Sequence, residues 1–210
     1  MQQRAVETRQ RILDAAVMVF SENGLNGATV DEIAAAAGVN KQRIYAYYGS
    51  KMGLFEAALL AVFQQVELFS AQSVKAAGAD PENMTGIMLK NFIRVHAEHP
   101  AFWRLLSWAN LEGAGSASLN QARKNENRTL RSIFEMAVER GCIRECSFES
   151  WLYTLLAASY FYFSNRLTLT HTLDVELTST EWEERLCNDL NSLFGAACPR
   201  ARQRRQRQHL

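Results

Sequence analysis

Proline and glycine are scarce, with 3 Pro and 11 Gly in 210 residues. Long helices therefore meet few breakers, since these two residues are the main punctuation of regular structure. No uninterrupted apolar run reaches the roughly 18 residues that a membrane span needs, so no membrane partner is expected. The opening MQQRAVETRQ is polar and leads straight into helical periodicity, unlike a secretory leader. The expected location is therefore the cytoplasm. Cysteine is sparse as well. Cys142, Cys146, Cys187 and Cys198 lack CxxC pairing, and only His171 lies between them, which argues against zinc. They read as free thiols of a reducing compartment, packed as small hydrophobes. A redox pair of Cys142 and Cys146 is the other reading. There is no Walker loop, no G-x-S-x-G elbow and no dinucleotide fingerprint, so no cofactor is expected.

Charge is nearly balanced, at +1 net, but unevenly placed. The tail PRARQRRQRQHL, residues 199–210, holds five Arg and no acid, leaving 18 basic against 22 acidic side chains elsewhere. Lacking an apolar pattern, the tail reads as disordered, either solvated or reaching for phosphates. Overall charge does not announce nucleic-acid binding, so such a role has to rest on local geometry.

Hydrophobic residues make up 48 % of the chain, enough for a substantial core. Their spacing predicts an all-α fold. Residues 4–23 carry Ile12, Leu13, Ala16 and Phe20 on one stripe, with Gly24 placed as a stop. Thr29 and Glu32 form a capping box opening a second helix that ends at Gly38. Asn40 caps a third, through about Tyr47. Ser50 starts a long fourth helix, with Phe55, Leu59, Val62, Val66 and Phe69 at spacings of three and four. GADPEN at 78–83 makes a turn, and helices follow over 84–97, after Pro100 to Gly113, over 117–140 and from Ser147 to about Phe163. Residues 167–179 read as a linker. Thr180 and Glu183 form a capping box for a last helix carrying Trp182, Leu186, Leu190 and Leu193. Three parts result: a head over 1–50, a helical domain over 51–198 and the tail over 199–210.

Two short helices joined at Gly38-Val39 match a helix-turn-helix. Val39 and Ile44 fill the joint, which frees Lys41, Gln42, Arg43 and Tyr47 for the outside of the third helix. Gln and Arg carry the donors and acceptors that read base edges, while Lys, Thr and Tyr hold phosphates. Free amides at the starts of the second and fourth helices, near Thr29 and Lys51, add anion sites. A double-stranded DNA operator is the expected partner, with Asn40 in the same contact set. Such a head reads a palindromic site as two copies, so a homodimer surface is also expected.

The stretch TRQRILDAAVMVFSENGLNGATVDEIAAAAGVNKQRIYAYYGSKMGLF, residues 8–55, resembles the amino-terminal signature of the TetR family of bacterial transcriptional regulators. The shared pattern is TR-x-x-IL-x-AA, a Phe and a Gly before the turn, T-x-x-x-IA-x-x-AGV, then Y-x-Y-[FY]-x-x-K-x-x-L. The resemblance implies that Thr29 and Tyr45 touch phosphates, that Lys41, Gln42, Arg43 and Tyr47 face the groove, and that Lys51 clamps the backbone. Tyr48 takes a place usually held by a core Phe. Gln42 replaces a frequent Gly, which alters the operator that is read. Gly53 follows the common acidic position, which points to a looser first turn in the fourth helix.

HPAFWRLLSWANLEG and SYFYFSNRLTL are similar to one regulatory-domain type of that family, so the resemblance runs to Phe194 and leaves out the Arg tail. It implies a dimer through the last two long helices, with Trp151, Leu155, Tyr162, Trp182, Leu186, Leu190 and Leu193 as candidates. The same side chains also suit a monomer core. A small-molecule effector, aromatic or apolar, is implied beside Phe63, Phe92, His96, Trp103, Trp108, Asn110 and Tyr160. The fourth helix stands as the only direct connection between head and effector domain. Repression is the usual mode of proteins this chain resembles, and an activator of the same fold is the alternative. Catalysis is the competing class. It rests on His96 and His99, three apart, with Glu112 as the sole third ligand in view.

Overall fold

A computed structural model describes residues 2–177 and 179–195, apart from the side chains of residues 2, 68 and 69. The basic tail over 199–210 and Cys198 lie outside the described residues. Among these residues the chain forms nine α-helices, so the fold is all-α: α1 (Gln2–Gly27), α2 (Val30–Ala37), α3 (Lys41–Tyr48), α4 (Lys51–Ala79), α5 (Met84–Glu98), α6 (Pro100–Leu111), α7 (Ala117–Glu139), α8 (Phe148–Leu173) and α9 (Thr180–Phe194).

The chain divides into two compact units. One holds the residues up to Phe69 with Val95–Glu126, and the other Ser70–Arg94 with the residues from Asn127 onward. Each has its own apolar core. In the first, Ile12, Phe20, Ile33, Ile44, Leu54 and Phe55 are fully buried, and the rings of Phe20 and Phe55 meet edge to face at 5.1 Å. That contact pins α1 to α4. In the second, Met84, Leu89, Phe134, Trp151 and Leu155 pack together, and Trp151 donates its ring N–H to Thr85 Oγ1 at 3.0 Å. Truncating any of these side chains to Ala should cost about 2–5 kcal/mol, because the cavity adds to the lost transfer energy.

Several boundaries differ from the sequence expectation. Gly24 is a break within α1 rather than its stop, with φ 72° and ψ −177°, after which Leu25–Gly27 continue to the α1–α2 turn. The residues expected as a linker from 167 onward continue α8 as far as Leu173. There two Thr hydroxyls are satisfied inside the helix, Thr168 donating to Asn165 O and Thr172 to Thr168 O. Leu169 and Leu173, four apart, share a face with the apolar part of α8. The cap of α9 is Ser179, one residue earlier than expected, accepting from Trp182 N–H at 3.1 Å. At α4 the first turn is tied down, not loose, because Ser50 Oγ accepts from Gly53 N–H at 2.9 Å. By length and composition α4 is apolar enough to cross a bilayer. Its Leu54, Phe55, Ala58, Leu59, Val62 and Phe63 are instead buried among the protein's own helices.

Candidate DNA-binding interface

Local chemistry sets the α2–α3 pair. Thr29 Oγ1 accepts from Glu32 N–H at 3.2 Å, while Glu32 Oε2 accepts from Thr29 N–H at 2.8 Å. This reciprocal cap is worth about 1 kcal/mol. The hydrogen bonds from Thr29 hold the Glu32 carboxyl below the usual carboxylate range. Gly38 ends α2 in the left-handed region, φ 62° and ψ 42°, where a side chain would be strained. Asn40 Oδ1 then accepts from Gln42 N–H at 2.9 Å and starts α3. Ile44 is fully buried, with Val39 packed against the same core.

Burying Ile44 fixes which way α3 faces. Gln42, Arg43 and Tyr45 are exposed, and Lys41 and Tyr47 are half-buried. Lys41 Nζ sits 2.7 Å from Asp31 Oδ2, tying the starts of α2 and α3 together. That hydrogen bond raises the Lys41 pKa, so its ammonium stays charged. Lys51, at the start of α4, reaches Asn26 O at 3.4 Å and lies close enough to Glu32 to act on its charge. Tyr48 turns inward: its hydroxyl donates to Arg9 O at 3.1 Å, with the Arg9 guanidinium over its ring.

Sequence reasoning missed the contribution of α1. Arg43 and Tyr47 border a polar hollow of about 690 Å³ shared with Arg4, Glu7, Thr8 and Arg11. Arg4 and Arg11 are seven residues apart, two helical turns, and so share one face of α1. That spacing was legible, but nothing in the sequence alone brings α1 to the side of α3. The result is a basic rim beside the exposed face of α3, suited to phosphates.

The other candidate residues fall as follows. In the first unit Phe63, Phe102 and His96 are buried together, with the His96 and Phe102 rings stacked at 6.4 Å. Trp103 is half-buried, with Arg104 over its ring. Trp108 is engaged elsewhere: it covers Gly24 and donates from Nε1 to Ser21 O at 3.3 Å. Asn110 is exposed, its amide donating to Leu106 O at 2.8 Å. Phe92 and Tyr160 are half-buried in the second unit. That unit also holds a polar group the sequence did not reveal, in which buried Asn91 bonds Ser70, Ser73 and Arg94.

Glu112 does not stand beside His96 and His99 as a ligand. Its carboxylate accepts from Leu25 N–H and Asn26 N–H, and His99 serves as the residue before α6. Among the described residues no group of three His, Cys, Asp or Glu is placed to hold a metal ion. The head and the following helices are also joined by more than α4, because these Glu112 contacts bring the end of α6 directly onto the last turn of α1, beyond Gly24.

Of the interface candidates, Trp151 and Leu155 are fully buried in their own unit's core and have no surface to offer a second chain. Leu186 and Leu190 are half-buried, and Leu193 is exposed. Tyr162 and Trp182 line an apolar hollow of about 430 Å³ with Tyr153, Phe161, Leu173 and Leu186. Trp182 Nε1 is buried without a hydrogen-bond partner among the described residues. Tyr153 and Phe161, 74 % and 53 % exposed, extend this face, and sequence reasoning missed both. Their spacing of eight residues puts them on one side of α8.

Known proteins are similar to this chain in sequence and in fold. The family described as bacterial regulatory proteins, tetR family, matches residues 12–58, and the tetracyclin repressor-like C-terminal domain matches residues 82–190. The chain is 32 % identical over 189 residues to the HTH-type transcriptional repressor NicS of Pseudomonas putida, covering 85 % of this chain and 86 % of that protein. It is 37 % identical over 140 residues to the HTH-type transcriptional repressor SCO4008 of Streptomyces coelicolor, covering 66 % and 68 %. In fold it is similar to a TetR family transcription regulator from Marinobacter aquaeolei VT8, with a TM-score of 0.76 at 20 % identity over 94 % of this chain and 100 % of that one.

Proposed function

Since this chain belongs to the TetR family of DNA-binding bacterial regulators, we propose that it is an effector-responsive repressor that binds a palindromic operator as a homodimer. The observation that carries this reading is the α3 surface. Burial of Ile44 leaves Gln42, Arg43 and Tyr45 exposed together, on a helix capped at Asn40 and set by the turn at Gly38. A recognition helix enters the major groove with such side chains, and Thr29 and Lys51 flank it for phosphates. The head is residues 1–50 and the effector and dimerisation domain residues 51–198. Repression is supported by NicS and SCO4008, both described as repressors.

Two copies are required for a two-fold operator, and the exposed apolar side of α8 and α9 supplies the surface. A face carrying Tyr153 and Phe161 in water, beside Trp182 and Leu186, invites cover. The effector is a small aromatic or apolar molecule, contacted in the first unit by Phe63, His96 and Trp103. Its binding weakens operator affinity, and by linkage DNA weakens effector binding equally. The site of action is the cytoplasm, where the operator is.

Selection of bound fragments from a bacterial genomic library, followed by titration against scrambled duplexes, tests the reading. Enrichment of one palindromic site, bound by one dimer, is the expected result. Equal affinity for every duplex overturns it.

A further inference from the structure

Glu112 closes α6 in the ordinary way through its backbone, its N–H donating to Trp108 O at 2.9 Å. Its side chain does something else. Oε2 accepts from Leu25 N–H at 2.7 Å, and the two carboxylate oxygens lie 3.2 and 3.3 Å from Asn26 N–H. These are charge-assisted bonds to the last turn of α1, beyond the Gly24 break, formed 86 and 87 residues away in the chain. The positive φ of Gly24 turns the backbone so that successive N–H groups meet one carboxylate. On the other side of the same turn, Asn26 O accepts from Lys51 Nζ at 3.4 Å. Asn26 is thus held by α6 through its N–H and by the start of α4 through its carbonyl. Thr29, the cap of α2, follows three residues later.

We infer that Glu112 is a positioning residue for DNA binding: by fixing Leu25 and Asn26 it sets where Lys51 stands, so that α6 governs a phosphate contact it does not itself make. The inference rests on the DNA-binding reading above and adds a control point to it. Without the carboxylate, the two amides turn to water, the Asn26 carbonyl shifts with them, and Lys51 loses the oxygen that orients it. α6 also carries Trp103, so a ligand that displaces α6 withdraws Glu112 from the turn.

The test is a titration of the full-length dimer against its selected operator and a scrambled duplex, over a range of salt. The variants are Glu112→Ala, Glu112→Gln, Lys51→Ala and the Glu112→Ala/Lys51→Ala pair. Glu112→Ala is expected to weaken both duplexes about tenfold and to flatten the slope of log affinity against log salt by about 0.9, as for one lost phosphate contact. Lys51→Ala should do the same. The pair should be no weaker than Lys51→Ala alone, because both changes remove one contact. Glu112→Gln, whose amide oxygen still accepts, should fall between wild type and Glu112→Ala. It carries the same test if Glu112→Ala fails to fold. Multiplied effects in the pair, or wild-type affinity and slope in a folded Glu112 variant, would overturn the inference while leaving DNA binding intact. A wild-type protein with no preference among duplexes overturns the DNA-binding reading, and the inference falls with it.

Discussion

Gly24 lies directly under the indole of Trp108: a methyl group placed on Gly24 would come within 2.8 Å of the ring and 2.8 Å of Glu112 Oε1. Two constraints meet at this residue. Its φ of 72° with ψ of −177° is a backbone region that only glycine enters freely, and the approach of α6 leaves no room for a Cβ. Gly24→Ala is therefore expected to lower unfolding free energy by about 2–4 kcal/mol. Gly27→Ala, whose Cβ would make only an ordinary 3.6 Å contact with Asn23, serves as the control and should be near neutral. Urea unfolding at fixed dimer concentration separates them. Equal effects at both glycines would show that α6 does not press on the Gly24 break in α1.

The apolar side of α8 makes a second prediction. Phe161 is more than half exposed, so Phe161→Glu disturbs no core within its chain. In a dimer built on that face it buries a charge without a partner. Dimer dissociation should rise at least about a hundredfold, roughly 3 kcal/mol. Leu186→Glu should do likewise, with some loss of fold because Leu186 also packs on the second core. Light scattering across a dilution series reads the mass. A folded Phe161→Glu protein that stays dimeric at wild-type concentrations moves the interface away from α8.

Much of the head was legible in the sequence because its signals are local. Thr29 with Glu32, Asn40 before α3 and Gly38 at the turn each act within a few residues, and Ile44 has the spacing of a buried anchor. The contacts that complete the site are not local. Glu112 meets Leu25 across 87 residues, and Arg4 and Arg11 reach the side of α3 only once α1 has packed. No pattern in one segment encodes such pairings. The continuation of α8 was missed for another reason. LTLTHTL has the composition of a strand, and its helical state depends on Thr168 and Thr172 turning their hydroxyls to carbonyls one turn back and on Leu169 and Leu173 lining an apolar face. Tertiary context overrode propensity there. Trp151 illustrates the limit on reading interfaces: an aromatic suited to a dimer seam and one suited to a core look alike until burial is known.

A third prediction follows from Glu126, half-buried on α7. Burial raises its pKa, the nearby Glu67 carboxylate raises it further, and Arg123 only partly offsets them. The folded state thus holds this proton to higher pH than the unfolded chain does. In the window from the ordinary carboxylate pKa up to the raised one, the native protein binds more protons, so stability falls as pH rises and then levels off. Glu126→Gln removes that loss. The variant should be more stable than wild type at pH 7, with the gain vanishing below the ordinary carboxylate range. Thermal unfolding from pH 4 to pH 8 provides the measurement. A gain independent of pH would mean that packing, not ionisation, separates the two proteins.

The last prediction concerns what α3 reads. Gln42 and Arg43 occupy successive exposed positions just after the Asn40 cap, where a helix end projects side chains into a groove. Gln pairs bidentately with adenine and Arg with guanine, so each has a donor–acceptor pattern that a wrong base cannot satisfy. Removing either should cost about 1–3 kcal/mol against the operator and little against a scrambled duplex, because the lost bonds exist only on the right base. Lys41 should behave differently. Its ammonium already pairs with Asp31 at 2.7 Å, so a phosphate must compete with that carboxylate for it. Lys41→Ala should then weaken operator and scrambled duplex alike, and Asp31→Asn should strengthen both by freeing the charge. Competition titrations against single-base variants of the operator assign each side chain to its position. If the Gln42→Ala and Arg43→Ala proteins discriminate those variants as well as wild type does, sequence reading belongs to some other part of the head, and the basic rim formed by Arg4 and Arg11 becomes the first place to look.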